Sequence, residues 1–184
     1  MIGLNLTNSL LNDYRLTCKD TRFQAKEWIE ENISPGTRIA LEWDTEATVQ
    51  LWETPEDIEL KIRDYESGKA ETIHHSSKQM AEVHRMRLAA VPENNYRIIR
   101  LGGMDGTRVK EKRYSLEGLR NRGTRYLITS SEVSRIFFSE KGKEIYPVQN
   151  SFYQQIDDKL NPTKTFNPSP LDSLGPVIKI YKFD

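Results

Sequence analysis

The chain has 184 residues, with 27 basic and 27 acidic side chains that leave no formal net charge. This length is enough to bury the core of one domain, and the balanced charge gives no overall field that favours nucleic acid, an anionic membrane or an acidic substrate. Cys18 is the only cysteine, which excludes an internal disulfide, and no run approaches the ~20 apolar residues of a membrane span.

Residues 20–42 predict a helix, a tight turn and a buried strand. Asp20 or Thr21 can cap the first backbone N–H groups of the helix. An apolar face follows at helical spacing, formed by Ala25, Trp28, Ile29 and Ile33. Pro35 and Gly36 end the helix, and the apolar residues 39–41 form a run of strand length. The segment therefore predicts half of an α/β unit, with its helix laid on a core.

Residues 54–62 fit two structures. Thr54 and Pro55, followed by two acidic residues, have the composition of a helix start. Ile58, Leu60 and Ile62, however, alternate with charged residues as in a half-buried strand, and we predict the strand. The next helix opens at Ser76, where residues 76–79 have the spacing of a capping box, and it extends through about residue 91.

The second half of the chain repeats the α/β pattern. Strands are predicted at residues 96–101 and 126–129, with a short helix at 115–120 between them that ends at Gly123. Ser130 and Ser131 are predicted to cap a turn, and residues 147–160 to form a helix. Two final strands at residues 163–166 and 177–183 would make an antiparallel hairpin.

This order of elements predicts an α/β fold: a three-layer open sheet, Rossmann-like or flavodoxin-like, mostly parallel with an antiparallel C-terminal edge hairpin. We assign residues 20–184 to one domain and residues 1–19 to a lead-in segment.

Ligands of such sheets bind beyond the carboxyl ends of the parallel strands. The candidate ligand-binding residues are therefore Glu42, Asp44, Gly102, Gly103, Asp105, Ser130 and Ser131. The two acids suit acid–base chemistry, although acids at a strand exit are more commonly solvated. The glycine loop can present N–H groups to a phosphate, but it lacks the dinucleotide and P-loop fingerprints, and a plain turn is the simpler interpretation. The serines can donate to an anion or cap a helix.

Other polar groups do not form a catalytic constellation. His74, His75 and His84 have neither HExxH nor zinc-ligand spacing, so we predict no metal and no cofactor. The basic run from Arg108 to Arg113 lacks interleaved aromatic residues and is interpreted as a solvated loop, without a nucleic-acid partner.

Several short motifs, in the right order, resemble the soluble C-terminal domain of polytopic membrane glycosyltransferases related to the dolichyl-phosphate-mannose protein mannosyltransferases. The motifs are residues 20–42, residues 123–131 followed by 135–138, Tyr146-Pro147 with Phe152-Tyr153, and residues 175–181. Together they extend over about residues 20–184.

The resemblance implies that catalysis belongs to a membrane-spanning part of the same or a neighbouring protein, and no catalytic residue is carried over to this chain. It implies a non-catalytic domain on the extracytoplasmic face, which recognises a glycan or protein acceptor or a partner, with residues 1–19 following the last span. The alternative is a free-standing α/β domain that binds a nucleotide or sugar phosphate at its strand ends.

Overall fold

The computed structural model describes residues 18–42, 46–69, 76–102, 113–169 and 173–183. Within these ranges the chain is a mixed α/β protein with seven helices and two sheets. The helices are α1 (Thr21–Asn32), α2 (Pro55–Glu66), α3 (Ser77–Ala89), α4 (Leu116–Asn121), α5 (Ser131–Phe138), α6 (Glu140–Ile145) and α7 (Pro147–Lys159). The strands are β1 (Lys19–Asp20), β2 (Arg38–Leu41), β3 (Arg97–Arg100), β4 (Tyr126–Ser130), β5 (Lys164–Phe166), β6 (Ser173–Leu174) and β7 (Ile178–Lys182).

The larger sheet has five strands in the order β3-β2-β4-β7-β5. The first three are parallel, whereas β7 is antiparallel to both β4 and β5. The predicted pairing of the last two strands as antiparallel neighbours is confirmed, with β5 at the edge. A separate parallel pair joins β1 to β6.

Both faces of the larger sheet carry a buried cluster, because side chains alternate along each strand. Ala40 and Leu127 lie in the cluster that packs against α4, α5 and α7. Ile39 and Ile128 point the other way, into a cluster completed by α1. The candidate site described below lies on the first of these faces.

The predicted first helix is confirmed as α1. Asp20 is its N-cap and accepts from the N–H of Arg22 at 2.8 Å. Ala25 and Ile29 are fully buried, and Trp28 packs at the margin of the same cluster. Thr21 Oγ1 donates to the carbonyl of Pro176 at 2.6 Å, so the start of the helix is joined to the segment that leads into β7.

The predicted strand at residues 58–62 is wrong, because this segment belongs to α2. Thr54 caps the helix through the N–H of Asp57. Ile58 is fully buried and Ile62 is 9% exposed, whereas Leu60 is 50% exposed, which matches helical rather than alternating geometry. The capping box at Ser76 is confirmed and opens α3, which packs against α2 in a small cluster of its own.

Two short helices follow β4 in place of the predicted turn, while the predicted capping role of Ser130 is confirmed. Ser130 caps α5 by accepting from the N–H of Glu132 at 3.3 Å. Ser139 ends α5 and caps α6 through the N–H of Gly142 at 3.0 Å. These two short helices lead into α7, which covers the sheet beside α5.

Candidate functional site

The carboxyl ends of β2 and β4 lie side by side, at the position in the sheet where the strand connections lead away in opposite directions. From β2 the chain continues to β3 on one side, and from β4 it continues to β5 and β7 on the other. In open α/β sheets such a switch point is where ligands bind. Glu42 directly follows β2, and Ser130 is the last residue of β4.

Glu42 is buried at this point, with 1% of its surface exposed. Its Oε2 accepts from the backbone N–H of Ser130 at 2.7 Å, and its Oε1 accepts from the hydroxyl of Tyr153 at 2.5 Å. The interpretation of Glu42 as a solvated strand-exit acid is therefore wrong. The side chain instead joins β2, the end of β4 and α7.

Burial sets the protonation state of this pair. It raises the pKa of Glu42 to about 8, although the hydrogen bonds from Tyr153 and Ser130 act in the opposite direction. Burial, together with the nearby Glu42, also raises the pKa of the Tyr153 hydroxyl. Both shifts favour the neutral forms of the two groups.

Ser130 and Ser131 both have structural partners. Ser130 caps α5, as the capping alternative predicts. Ser131 exchanges two bonds with the residue before β7: its N–H donates to the carbonyl of Val177 at 2.9 Å, and its Oγ accepts from the N–H of Val177 at 3.0 Å. These bonds fix the corner between β4 and α5 against the start of β7.

The other predicted site residues do not join this group. Gly102 follows β3, which lies on the opposite side of β2 from β4, and its carbonyl is 3.5 Å from the hydroxyl of Tyr114. Asp44, Gly103 and Asp105 lie outside the described residues. Of the seven candidates, the structure brings together Glu42, Ser130 and Ser131.

A cavity of about 270 Å³ lies beside this group, between the sheet and helices α5 and α7. We call it the strand-end cavity. It is lined by Thr129, Ser131, Ser134, Phe138, Tyr153, Ile156, Asp157, Val177, Lys179 and Tyr181. Tyr153 forms part of the cavity wall, and its hydroxyl group is hydrogen-bonded to Glu42. Glu42 does not line the cavity itself, so its buried carboxyl group contributes to the wall only by supporting Tyr153.

The charged groups of the cavity are paired. Lys179 Nζ lies 3.4 Å from Asp157 Oδ1; Lys179 is partly exposed and Asp157 is exposed. Burial lowers the pKa of Lys179, but its attraction to Tyr181 and Asp157 outweighs burial and leaves the pKa raised. Burial raises the pKa of Tyr181, against the effect of Lys179 and a hydrogen bond with Thr129. The cavity thus combines one ion pair, several hydroxyl groups and an apolar wall.

Sequence reasoning missed the residues that α7 and β7 contribute. Tyr153 and Asp157 are four residues apart and therefore share a flank of α7. This four-residue spacing, next to the buried Phe152 and Ile156, is the sequence pattern that could have indicated Tyr153 and Asp157. It can be interpreted only when the placement of α7 over β4 is known. Lys179 lies opposite Thr129 because β7 pairs with β4.

Two other cavities have less defined walls. A cleft of about 520 Å³ at the amino ends of the strands is lined by Arg38, Arg97 and neighbours of which half, including Pro35 and Glu56, are exposed. A groove of about 260 Å³ lies beside Phe23, which is 64% exposed. In the strand-end cavity, by contrast, Tyr153, Ile156 and Tyr181 are almost completely buried, so its shape is fixed by packing.

Within the described ranges, no group of three or more histidine, cysteine or acidic side chains is arranged to hold a metal ion. None of the described helices is long and apolar enough to cross a membrane. Comparisons with known protein families, with curated proteins and with solved structures found no match to this chain.

Proposed function

We propose that this protein recognises a small polar ligand, which binds in the strand-end cavity. The observation that carries the proposal is the position of the cavity: a packed pocket with convergent hydroxyl and charged groups opens at the carboxyl end of β4, next to the switch point of the sheet. Pockets of this kind are the usual ligand sites of α/β proteins.

The proposed role is recognition without chemistry in this chain. The hydroxyl group of Ser131 accepts from the backbone of Val177 and has no general base as a hydrogen-bond partner among the described residues. Glu42 has the strongly raised pKa of an acid–base residue, but Tyr153 and Ser130 occupy its two oxygens and separate it from the cavity. Its contribution is to position Tyr153.

A thermal-shift screen tests the proposal. The panel contains sugars, sugar phosphates, nucleotides and amino acids, each in large excess over the protein. A ligand at 100 times its Kd stabilises a fold by about 2.7 kcal/mol, which for a chain of this size raises Tm by roughly 5–10 °C. We expect at least one class to give such a shift.

Two matched variants locate the binding site. Ser134→Leu places an apolar side chain into the cavity from α5, whereas Ser151→Leu makes the same change on the exposed side of α7. We expect Ser134→Leu to abolish the ligand-induced shift and Ser151→Leu to retain it. A screen without any shift, or a shift that both variants retain, would contradict a site in this cavity.

A second function has its own supporting observation. The motifs that resemble the glycosyltransferase domain are scattered in sequence, but besides parts of α1, α5 and α7 they include β2, β4 and β7, which are neighbours in the sheet next to the candidate site. We therefore also propose that the chain is the extracytoplasmic domain of a membrane glycosyltransferase-like protein, with recognition of an acceptor or of the membrane-spanning part as its task.

The DNA upstream of the Met1 codon tests this second proposal. Several in-frame segments of ~20 apolar residues, or an adjacent gene with such segments, would support it. A genuine translation start at Met1 with no neighbouring membrane gene would argue against it, and would leave the ligand-binding proposal untouched.

For the fold itself we propose membership of the open, three-layer Rossmann-like or flavodoxin-like class. The parallel order β3-β2-β4 and the buried clusters on both faces of the sheet support this assignment.

A further inference from the structure

We propose that the ligand of the strand-end cavity is a neutral polyol with the size of one monosaccharide. This inference rests on the proposed function, because it names the class of ligand for the same cavity. Three properties of the cavity carry it: its volume, its charge balance and the chemistry of its walls.

The volume favours a small ligand. The cavity of about 270 Å³ is slightly smaller than the roughly 300–1,000 Å³ of pockets that hold drug-sized molecules. A nucleoside diphosphate or a dinucleotide would extend far outside it. A single six-membered sugar ring is of a size that the cavity can enclose.

The charges favour a neutral ligand over an anion. Lys179 and Asp157 face each other at 3.4 Å, so the positive charge that would attract a phosphate has a carboxylate beside it. A phosphate bound at Lys179 would be repelled by Asp157. A neutral polyol keeps the ion pair intact, since its hydroxyl groups donate to the carboxylate of Asp157 and accept from the ammonium group of Lys179.

The walls match the two surfaces of a sugar ring. Phe138, which is only partly buried, offers an apolar surface for the C–H face of the ring, and the buried Ile156 packs among the same lining residues. Ser134 and the ion pair lie among the same lining residues and offer hydrogen bonds to its hydroxyl groups. A molecule with hydroxyl groups and an apolar face uses both kinds of wall.

Isothermal titration calorimetry on the full chain tests the inference. The probes are glucose, mannose, galactose and N-acetylglucosamine, their 6-phosphates, and the amino acids glycine and serine, each at low and at high ionic strength. We expect at least one neutral sugar to bind, with an affinity that salt leaves unchanged because the ligand has no charge to screen. Its 6-phosphate should bind at least about ten-fold more weakly, a difference of ~1.4 kcal/mol.

Asp157→Asn separates the ligand classes, with Asp158→Asn as a matched control on the neighbouring, exposed position of α7. For a neutral polyol, Asp157→Asn should weaken binding by about ten-fold, because a charge-assisted hydrogen bond is lost. The control should bind as the wild type does. For an anionic ligand the same change would strengthen binding, since it removes a repelling charge.

The outcomes distinguish this inference from the function on which it rests. If a sugar phosphate binds more tightly than its parent sugar and Asp157→Asn strengthens that binding, the neutral class is wrong and the cavity remains a ligand site. Tighter binding of an amino acid would overturn the class in the same way. If none of the probes binds and the wider thermal-shift screen also gives no shift, the ligand-binding function itself fails.

Discussion

At the scale of single residues, Glu42 shows how burial changes the role of an acid. A glutamate side chain that is exposed to solvent is ionised and hydrated at neutral pH. Here it is enclosed, with Tyr153 and Ser130 as its hydrogen-bond donors. Because the folded protein holds the proton more tightly than the unfolded chain does, the pH determines how much Glu42 contributes to stability.

We expect the stability contributed by Glu42 to be fully present below pH 4.5, its ordinary pKa, and to be lost as the pH rises through about 8. The loss amounts to about 1.4 kcal/mol per pH unit within this window. Glu42→Gln keeps the shape of the side chain without the proton, so its free energy of unfolding should lack this slope. Between pH 5 and pH 9 the variant should gain roughly 3–5 kcal/mol relative to the wild type.

Urea unfolding at several pH values measures this difference. Glu31→Gln, on the exposed side of α1, is the matched control and should follow the wild type. Parallel stability curves for Glu42→Gln and the wild type would show that the proton on Glu42 does not contribute.

Gly175 is a second position where one atom decides the local structure. Its φ is +102°, and an added Cβ would lie 2.6 Å from Thr21 Oγ1 and 2.7 Å from Asp20 Oδ1. Both oxygens are already used, since Thr21 binds the carbonyl of Pro176 and Asp20 caps α1. Gly175→Ala should therefore destabilise the protein by about 2–5 kcal/mol, through backbone strain and steric overlap.

Gly36→Ala is the matched control for the strain alone. Gly36 also has a positive φ, +76°, but no atom lies within 4 Å of the added Cβ. We expect a cost of about 1–2 kcal/mol for this variant in the same denaturation experiment. Equal losses for the two variants would show that the overlap with Thr21 and Asp20 relaxes without cost.

At the scale of secondary-structure elements, α2 provides a direct comparison of two buried patterns. Ile58→Ala should cost about 2–5 kcal/mol, because Ile58 is fully buried in the cluster between α2 and α3. Leu60→Ala should change stability by no more than about 0.5 kcal/mol, because Leu60 is half exposed. Large losses for both variants in chemical denaturation would indicate a strand-like arrangement with the two side chains on one face.

The sequence was sufficient where a single pattern dominated. For α1, β2, β3, β4 and α7, periodicity, caps and turn residues agreed, and the structure has these elements near their predicted positions. In α2 two patterns coexisted, since Ile58, Leu60 and Ile62 alternate while Ile58 and Ile62 also have helical spacing. Packing against α3 selects the helix, and this tertiary contact is not visible in the local sequence.

The candidate site was predictable to a similar extent. Glu42, Ser130 and Ser131 could be found because they follow strands, and the ends of parallel strands meet at one edge of a sheet. Tyr153, Asp157 and Lys179 could not, because they depend on α7 covering β4 and on β7 pairing with β4. The sequence also could not indicate that Glu42 would be covered, since its burial results from the position of Tyr153.

At the scale of the whole molecule, the described residues form cores of different extent. Two large clusters share the central sheet, whereas α2 and α3 pack mainly on each other around Ile58, Ile62 and Ala81. Glu53 joins this helical pair to the strand edge: it forms a bridge with Tyr96, and its side chain accepts from Lys61 at 2.5 Å. Because the cluster between α2 and α3 is separate from the two sheet clusters, these helices have fewer buried contacts with the rest of the molecule than α1, α5 and α7 have.

We expect α2 and α3 to open more readily than the sheet. In native-state hydrogen exchange followed by mass spectrometry, amides of α2 and α3 should exchange with a lower free energy of opening than those of β2, β4 and β7. Equal protection of all these elements would mean that the helical pair and the sheet unfold as one cooperative unit.

The position of β7 in the interior of the sheet has a consequence for biosynthesis. Residues 178–182 pair with β4 on one side and with β5 on the other, although they are the last strand described. On the ribosome, β4 must wait for the synthesis of nearly fifty further residues, which takes roughly 2–10 s at about 5–20 residues per second. During that interval one edge of β4 has no strand partner. Until β7 is synthesised, this edge must be shielded so that it does not pair with strands of other protein molecules.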